Sequence, residues 1–393
     1  MSRQLVRASP DLLRLQEEGY DIEIRGTNLL VRVPYVNADK QVKAGILVSE
    51  LTTSGERTAA PNTHVAFFVG ENETDVPCDD TGRVLDELMN QRSPTPFGDG
   101  LVSSCSFSHK PDPTYPDYYD KMSTYAAMLV AYAQVIDREA TVKTFPPIPA
   151  DGDESVFRYF DSATSRARIG AVTDKLRLGK VAIVGLGGTG SYILDLIAKT
   201  PVARIDLYDA DFMLTHNAFR APGAASLAEL NQRPRKVDYL RSRYDAMHGN
   251  LIAHPSKLDA SNFEELRDCD FVFLSVDAGP AKRFIIERLQ EFEVPFVDTG
   301  MGIYQTGTAL GGIVRTTSSS RAKNTHLLEK LSFHDEDDDE YEQNIQIADL
   351  NMLNAALAVI KWKKLFGFYC DFEGEHTCHY TIDGNHVLNE DRP

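Results

Sequence analysis

A glycine-rich turn between a short apolar strand and a helix constrains the fold of this 393-residue chain more than any other feature. The apolar run 180–186 (KVAIVGL) leads into a pattern G-x-G-G-x-G-S, which consists of Gly185, Gly187, Gly188, Gly190 and Ser191. Glycines there allow a tight bend and a close approach of the backbone to phosphate, and the following helix supplies free N–H groups and a favourable dipole. We expect a nucleotide to bind here. The alternative is a purely structural turn.

Apolar strands alternate with helices on both sides of this turn. Strands are predicted at 180–186, 204–211, 270–277 and 295–301, and helices at 188–199, 235–247, 281–291 and 347–365. This order indicates an α/β fold whose doubly wound, mostly parallel Rossmann-like sheet is covered by helices. The last predicted helix is long and apolar, so we expect it to pack into the core or to form a subunit contact.

The first 145 residues show a different pattern. A short helix is predicted at 10–19, a long helix at 118–138, and strands at 21–36 around a Gly-Thr-Asn turn, 42–51 and 64–69. The segment 144–154, rich in Pro, Gly and Asp, then marks a domain boundary. We therefore expect a smaller N-terminal α+β domain at 1–147 and the nucleotide-binding α/β domain at 155–393.

The formal net charge of -17 limits the partners of the chain. Nonspecific binding to nucleic acid or to an anionic membrane needs a cationic surface, so neither is expected. The N-terminus lacks the apolar segment of a signal peptide, and no stretch approaches the ~20 apolar residues that cross a bilayer, so we expect a cytoplasmic protein. The acidic run 334–340 (HDEDDDE) is expected to form a solvated loop or a docking patch for a basic partner.

Charged and polar side chains follow the second predicted strand. Asp209 lies near the end of that strand, where a carboxylate can accept hydrogen bonds from ribose hydroxyls. Asp211 comes next, and Asn217 and Arg220 are spaced to share one face if their segment is helical. The run 233–236 (RPRK) adds basic groups that can neutralise a triphosphate, which carries more charge than the pyrophosphate of a dinucleotide. This set favours ATP as the nucleotide.

Asp277 ends the third predicted strand. Ligands of doubly wound folds bind at the carboxyl edge of the sheet, where this side chain is expected. Mg²⁺ prefers one or two carboxylates together with phosphate oxygens. We therefore expect Asp277 to be a ligand of Mg²⁺.

Together these residues identify a family resemblance. The stretch 180–316 resembles the ThiF/MoeB/ubiquitin-activating-enzyme (E1-like) adenylyltransferase superfamily, in a bacterial form with an extra N-terminal domain. The matching positions are the glycine turn, Asp209, Asp211, Asn217, Arg220, Lys236, and Asp277 with Lys282 or Arg283 after it.

The resemblance implies an enzyme that uses ATP and Mg²⁺ to adenylate the C-terminal carboxylate of a small ubiquitin-like or sulfur-carrier protein. It implies that the glycine turn and Asp211 belong to the ATP site and that Asp209 contacts the ribose. Asn217, Arg220 and Lys236 are then expected at the phosphates, and Asp277 at Mg²⁺. The protein supplies alignment and charge stabilisation, because the substrate carboxylate itself attacks the α-phosphate. For each residue alone, the alternative is a surface ion pair or a helix cap.

Members of this superfamily also carry an arginine before the first strand that reaches into the active site of a partner subunit. Here Arg158 and Tyr159 match the start of the family pattern R-Y-x-R, but the second arginine is displaced to Arg166. The resemblance therefore implies a homodimer in which Arg166 or Arg158 completes the neighbouring site. The alternative is an arginine on a helix surface.

Five cysteines are present without a C-x-x-C pair, so neither a disulfide framework nor a four-cysteine zinc site is expected. Related enzymes that transfer their cargo carry a cysteine beyond the adenylation site, but the segment 316–348 has none. Cys269 is expected to be buried at the start of a strand. Cys370 and Cys378 are open to three interpretations: free thiols, a metal site with His376 or His379, or a thioester acceptor.

Cys105 is the thiol most open to a catalytic interpretation. It is predicted to lie in a polar loop, 101–111, between the strands and the long helix of the first domain. An accessible thiol there could have its pKa lowered by His109 or Lys110. This order of elements resembles a ubiquitin-conjugating domain, which implies that Cys105 could receive the cargo as a thioester. The alternative is a binding domain with an incidental cysteine.

Two other functions fit parts of the sequence. A NAD-binding Rossmann oxidoreductase needs the glycine turn and Asp209, but it leaves Arg220 and Asp277 without a role. A non-catalytic nucleotide-binding scaffold needs no charged residues around the phosphates. Retention of the full charged set favours the adenylating enzyme over both alternatives.

Overall fold

A computed structural model describes residues 2–72, 74–98, 100–150, 155–331 and 345–392 of the chain. The protein divides into two compact units, Met1–Ile148 and Pro149–Pro393. The acidic run 334–340 lies outside the described residues, so the expectations for it are not addressed by the structure.

Unit 1 combines a sheet with three helices. Its helices are α1 Ser2–Ala8, α2 Pro10–Glu17 and α3 Tyr118–Ile136. Its strands are β1 Ile22–Arg25, β2 Asn28–Val36, β3 Val42–Glu50, β4 Thr53–Ser54, β5 Arg57–Thr58, β6 Val65–Val69, β7 Met89–Gln91, β8 Thr95–Pro96, β9 Val102–Ser103 and β10 Cys105–Ser108.

The main sheet of unit 1 is antiparallel, with strand order β1-β2-β3-β6-β10-β7. Alternate residues of β2, Leu29, Val31 and Val33, face one side of the sheet because successive side chains in a strand point to opposite faces. They join one core cluster with Tyr118 and Met122 of α3. The predicted α+β character of this part of the chain is confirmed.

Unit 2 contains the glycine turn. Its helices are α4 Ser162–Ala167, α5 Gly170–Thr173, α6 Gly188–Ile197, α7 Thr215–Ala218, α8 Leu227–Asn231, α9 Lys236–Tyr244, α10 Pro280–Glu291, α11 Leu327–Lys330 and α12 Ala348–Leu365. Its strands are β11 Val181–Val184, β12 Ile205–Tyr208, β13 Leu251–His254, β14 Phe271–Leu274, β15 Phe296–Thr306, β16 Ala309–Ser319, β17 Thr377–Thr381 and β18 His386–Glu390.

The eight strands of unit 2 form one sheet in the order β13-β12-β11-β14-β15-β16-β17-β18. The first five are parallel and the last three antiparallel. The chain moves outward from β11 to β13 and then returns to β14, so the direction of winding reverses beside β11. Ligands bind at the carboxyl edge at such a switch point. The predicted mostly parallel Rossmann-like sheet is confirmed.

Helices cover both faces of this sheet. Val181 and Ile183 of β11 join a core cluster with α6 and α12, whereas Ala182 and Val184 join a second cluster with α10. Trp362 of α12 is fully buried in the first cluster, so the last helix packs into the core. This was one of the two expectations for that helix.

Four of the strands described in unit 2 were not predicted. β13 is a four-residue segment between polar residues, and it makes the strand at 271–274 the fourth rather than the third in chain order. The antiparallel strands β16, β17 and β18 contain many Thr, Ser and His residues and lack a simple apolar alternation. Their pairing with β15 is set by tertiary contacts that local sequence patterns do not report.

Candidate functional site

The glycine turn is held tightly against the sheet. Gly185 directly follows β11, and its φ of 84° lies in the left-handed region that favours glycine. A Cβ atom on Gly185 would overlap the carbonyl oxygen of Ser275, and one on Gly190 would overlap the carbonyl oxygen of Gly185. Both positions therefore require glycine for the close passage of backbone segments.

The outer side of the turn is open. No described atom lies within 4 Å of the position that a Cβ of Gly187 would occupy. Gly187 is the N-cap of α6, and the N–H groups of the first helical turn have no partner within their own helix. Open space at a helix N-terminus fits an anionic phosphate. Ser191 is buried, and its hydroxyl donates to the carbonyl oxygen of Gly188 at 2.7 Å.

Asp209 connects the glycine turn to the end of β12. Its Oδ2 accepts a hydrogen bond from the backbone N–H of Leu186 at 2.7 Å, and its Oδ1 accepts one from the N–H of Asp211 at 2.8 Å. The carboxylate therefore fixes the turn relative to the neighbouring strand.

Lys236, the first residue of α9, joins the same cluster. Its Nζ donates to Oδ2 of Asp211 at 2.8 Å and lies 3.6 Å from Oδ2 of Asp209. The hydrogen bond from Lys236 lowers the pKa of Asp211, although burial opposes the shift. The lysine side chain is 8% exposed, whereas that of Asp211 is 66% exposed. The structure therefore places an ammonium group beside two carboxylates and the glycine turn.

Asn217 and Arg220 do not share a helical face. α7 ends at Ala218, and Arg220 lies beyond it in a turn. Oδ1 of Asn217 accepts from the backbone N–H of Leu214 at 3.0 Å, so this part of the side chain caps the short helix. The Nε of Arg220 is buried and has no hydrogen-bond partner among the described residues. An unpaired guanidinium N–H fits an anionic ligand.

Two other basic side chains have structural partners. Arg235 stacks its guanidinium 4.0 Å from the ring centre of Phe212 and donates to the carbonyl oxygen of Ala210. Lys282 is buried and forms an ion pair of 2.6 Å with Asp298 of β15. Lys282 therefore stabilises the packing of α10 on the sheet.

Asp277 lies three residues past the end of β14, exposed at the carboxyl edge of the sheet. One such carboxylate fits Mg²⁺ that arrives with phosphate oxygens. Across the described ranges, no group of three or more His, Cys, Asp or Glu side chains is placed to hold a metal ion. This excludes such a cluster at Cys370 and Cys378, and His376 instead bonds Ser320 and the carbonyl oxygen of Gly374.

Sequence reasoning missed Asn351. This residue of α12 is 1% exposed, and its Oδ1 accepts a hydrogen bond of 2.9 Å from the hydroxyl of Thr189 in the glycine turn. The sequence does contain a signal, because Asn351 and Asn354 interrupt an apolar helix with a spacing that places them on one face.

The two arginines before β11 differ in their surroundings. Arg158 forms an ion pair of 3.0 Å with Asp245, and its Nε donates to the carbonyl oxygen of the same residue. Arg166 lies on the exposed helix α4, whose N-terminus is capped by the side chain of Asp161.

Cys105 is not the accessible loop thiol that the sequence suggested. It lies in β10, is fully buried, and burial raises the pKa of its thiol to about 11. Its loop assignment was wrong because a four-residue strand with two serines lacks a clear strand pattern. The expectation for Cys269 is confirmed, since it is buried and burial raises its pKa to about 12.

The switch-point turn, the carboxylate–lysine cluster and the sheet order define a nucleotide-binding domain of the adenylyltransferase-like class. The profile of the ThiF family matches residues 162–368, and the chain belongs to the ThiF family. The profile of DUF6791, a domain of unknown function, matches residues 10–162. The resemblance inferred from the sequence is thereby confirmed.

Solved structures with a similar fold are distant in sequence. E. coli MccB, solved with MccA, is 17% identical, with 57% of this chain and 67% of MccB covered and a TM-score of 0.46. PaaA is 15% identical, with coverages of 73% and 92% and a TM-score of 0.45. The E. coli tRNA N6-threonylcarbamoyladenosine dehydratase TcdA, solved with AMP, is 16% identical, with coverages of 52% and 92% and a TM-score of 0.40.

No curated protein sequence matches the chain. Within the described residues, no helix is both long and apolar enough to cross a membrane.

Proposed function

We propose that this protein uses Mg-ATP to adenylate the C-terminal carboxylate of a small ubiquitin-like or sulfur-carrier protein. The observation that carries the proposal is the cluster of Asp209, Asp211 and Lys236 on the glycine turn. Membership of the ThiF family supports the same reaction class. A nicotinamide enzyme would leave Arg220 and Asp277 without a role.

In the proposed reaction, a carboxylate oxygen of the carrier attacks the α-phosphorus of ATP. The bond from that phosphorus to the bridging oxygen of the β-phosphate breaks, and pyrophosphate leaves with the electron pair. The products are an acyl adenylate and pyrophosphate. Since no proton transfer to the protein is needed, alignment and charge stabilisation are the main contributions of the enzyme.

Each site residue has a proposed part in this step. The N–H groups of the glycine turn bind phosphate oxygens, and Asp209 accepts hydrogen bonds from the ribose. Lys236 and Arg220 stabilise the charge that develops on the α-phosphate and the departing pyrophosphate. The amide of Asn217 is proposed to contact the phosphates. Mg²⁺, bound by Asp277, would neutralise part of the triphosphate charge.

ATP–pyrophosphate exchange tests the proposal directly. With a suitable carrier, exchange should depend on carrier and ATP, and Lys236→Ala should lower it by about 10²-fold because one stabilising cation is lost. Lys199→Ala is the matched control, since Lys199 forms an exposed ion pair of 2.8 Å with Asp195 in α6. The proposal is overturned if no small carrier supports exchange while Lys236→Ala and Asp277→Ala leave ATP binding unchanged.

The rival functions give different results in simple binding measurements. A NAD-dependent oxidoreductase would enhance the fluorescence of NADH and would turn over with a reducible substrate. A scaffold would bind the carrier without appreciable ATP affinity. Either result, together with absent exchange, would replace the proposed function.

For the N-terminal domain, at 1–147, we propose a binding module that presents the carrier to the adenylation domain at 155–393. The burial and raised pKa of Cys105 oppose a role as thioester acceptor. After the full chain reacts with carrier and ATP, non-reducing mass spectrometry should find no carrier attached to Cys105. An adduct that disappears in Cys105→Ser would instead make this domain a conjugating module.

We also propose that the protein works as a homodimer in which Arg166 of one protomer contacts the nucleotide site of the other. The exposed position of Arg166 on α4, together with the family pattern, supports this role.

A further inference from the structure

Helix α12 carries two buried asparagines in its largely apolar first half. Asn351 and Asn354 are each 1% exposed, and the spacing of three residues places them on one face. An amide costs free energy to bury unless its hydrogen bonds are replaced. A helix that only filled the core would not need either side chain, so each amide calls for a specific partner.

The amide of Asn351 lies directly against the first turn of α6. Its Oδ1 accepts a hydrogen bond of 2.9 Å from the hydroxyl of Thr189. A Cβ atom on Gly188 would overlap both the Nδ2 and the Oδ1 of Asn351, so the amide occupies the space that a side chain at Gly188 would need. A side chain at Gly188 would therefore displace the amide of Asn351.

The Nδ2 of Asn351 is buried and lacks a hydrogen-bond partner within the described part of the chain. Leaving one buried donor unpaired destabilises a protein by about 1–3 kcal/mol. The unpaired Nδ2 of Asn351 thus lowers the stability of the fold, whereas its Oδ1 holds the glycine turn through Thr189. That combination is typical of a residue retained for a site and not for the core.

Asn354 has a different partner on the same face. Its Nδ2 donates to the carbonyl oxygen of Gly300 at 2.9 Å, in β15. It therefore links α12 to β15, although its own Oδ1 is also buried without a hydrogen-bond partner among the described residues. The pair gives a natural internal comparison between two buried asparagines one turn apart.

We propose that Asn351 is a positioning residue for the nucleotide site. It fixes Gly188 and Thr189 so that the N–H groups at the start of α6 point at the phosphates. This inference rests on the proposed function for the ATP chemistry, but it concerns nucleotide affinity and does not depend on the identity of the carrier. Loss of Asn351 should therefore weaken ATP binding and leave carrier binding unchanged.

The first experiment compares Asn351→Ala with Asn354→Ala by equilibrium ATP binding and by thermal unfolding of the full chain. Asn351→Ala should weaken ATP binding by about 10-fold, the effect of about 1.4 kcal/mol, with Tm within about 2 °C of the wild type. Asn354→Ala should lower Tm and leave ATP affinity within about twofold. Thr189→Val removes the same hydrogen bond from the turn, so it should reproduce the effect of Asn351→Ala.

A double-mutant cycle tests the contact itself. Gly188→Ala should abolish detectable ATP binding, because its methyl group collides with the amide of Asn351. In the Asn351→Ala background that space is vacant, so the double variant should bind ATP about as well as Asn351→Ala alone. Strict additivity, or an unchanged ATP affinity in Asn351→Ala and Thr189→Val, would overturn the proposal. If the wild type binds ATP and Asn351→Ala and Thr189→Val bind it with the same affinity, only this inference fails. If the wild type binds no ATP, the proposed function fails with it.

Discussion

Substitution by alanine at two glycines of the turn should affect different properties, Tm at Gly190 and ATP affinity at Gly187. Gly190→Ala forces a methyl group onto the carbonyl oxygen of Gly185, so the backbone must move and Tm should fall by more than about 5 °C. Gly187→Ala meets no described atom within 4 Å, so Tm should change by less than about 2 °C. Its methyl group nevertheless occupies the space for phosphate, so ATP affinity should fall.

Calorimetric binding and thermal unfolding of the two variants measure both effects. Wild-type ATP affinity in Gly187→Ala would show that phosphate does not approach the turn from its open side. An unchanged Tm in Gly190→Ala would show that the turn is looser than described.

The cysteines should separate clearly by reactivity. Cys370 is exposed, whereas Cys78, Cys105 and Cys269 are buried with pKa values raised by burial. Since the thiolate is the reactive form, Ellman's reagent at pH 8 should modify Cys370 rapidly in the native protein and the three buried thiols only after unfolding. Fast modification of Cys105, located by peptide mass spectrometry and absent in Cys105→Ser, would contradict this burial.

The sequence predicts which residues lie at the site. It does not predict every contact that these residues make. Asp209, Asp211 and Lys236 lie at element ends, and parallel strands bring their carboxyl ends to one edge. The inward hydroxyl of Ser191 and the ion pair of Lys282 depend on side-chain directions in packed helices, which spacing does not report. Asn351 lies far along the chain and reaches the turn only through tertiary packing.

At the scale of elements, apolar runs with clear periodicity were predicted and polar edge strands were not. β11 and β14 are buried on both faces and appear as continuous apolar runs. β18 is largely exposed and contains polar residues at alternate and neighbouring positions, so its pairing with β17 had no local signal. The central sheet was therefore predictable, and its antiparallel extension was not.

The segment after α12 is held to that helix by ion pairs. Lys361 lies 3.1 Å from Asp371, and Lys364 lies 2.9 Å from Glu375. Burial raises the pKa of Asp371, but the N–H of Gly374 and the charge and hydrogen bond of Lys361 outweigh it and lower the pKa to about 2. The carboxylate thus stabilises the folded state above its ordinary pKa of 3.8, and this contribution disappears as pH falls toward about 2.

Asp371→Asn should remove this acid-sensitive contribution. We expect the variant to be less stable than the wild type at pH 7 by on the order of 1–2 kcal/mol, with the difference shrinking between about pH 4 and pH 2. Urea unfolding of both proteins across that range measures the difference. If the difference in unfolding free energy between the two proteins stays constant down to pH 2, the pKa of Asp371 is not lowered in the folded state.

At the scale of the whole molecule, the proposed homodimer predicts complementation in trans. Arg166→Ala and Lys236→Ala should each be inactive in pyrophosphate exchange. After unfolding and refolding together, half of the dimers are mixed and each has one intact site, so about a quarter of wild-type activity should return. The control is the same treatment of each variant alone. Persistent inactivity of the mixture, with mixed dimers verified by mass, would place all site residues in one protomer.

The bond between Asp209 and the N–H of Leu186 has a consequence for how fast a nucleotide is captured. In the proposed site, this bond would join the sugar side and the phosphate side before any ligand arrives, so this turn would lose little conformational entropy on binding. If no other segment has to become ordered, association would depend mainly on diffusion and on the local cations. Nucleotide capture would be a single fast step, and the slow events of the cycle would fall to the encounter with the carrier.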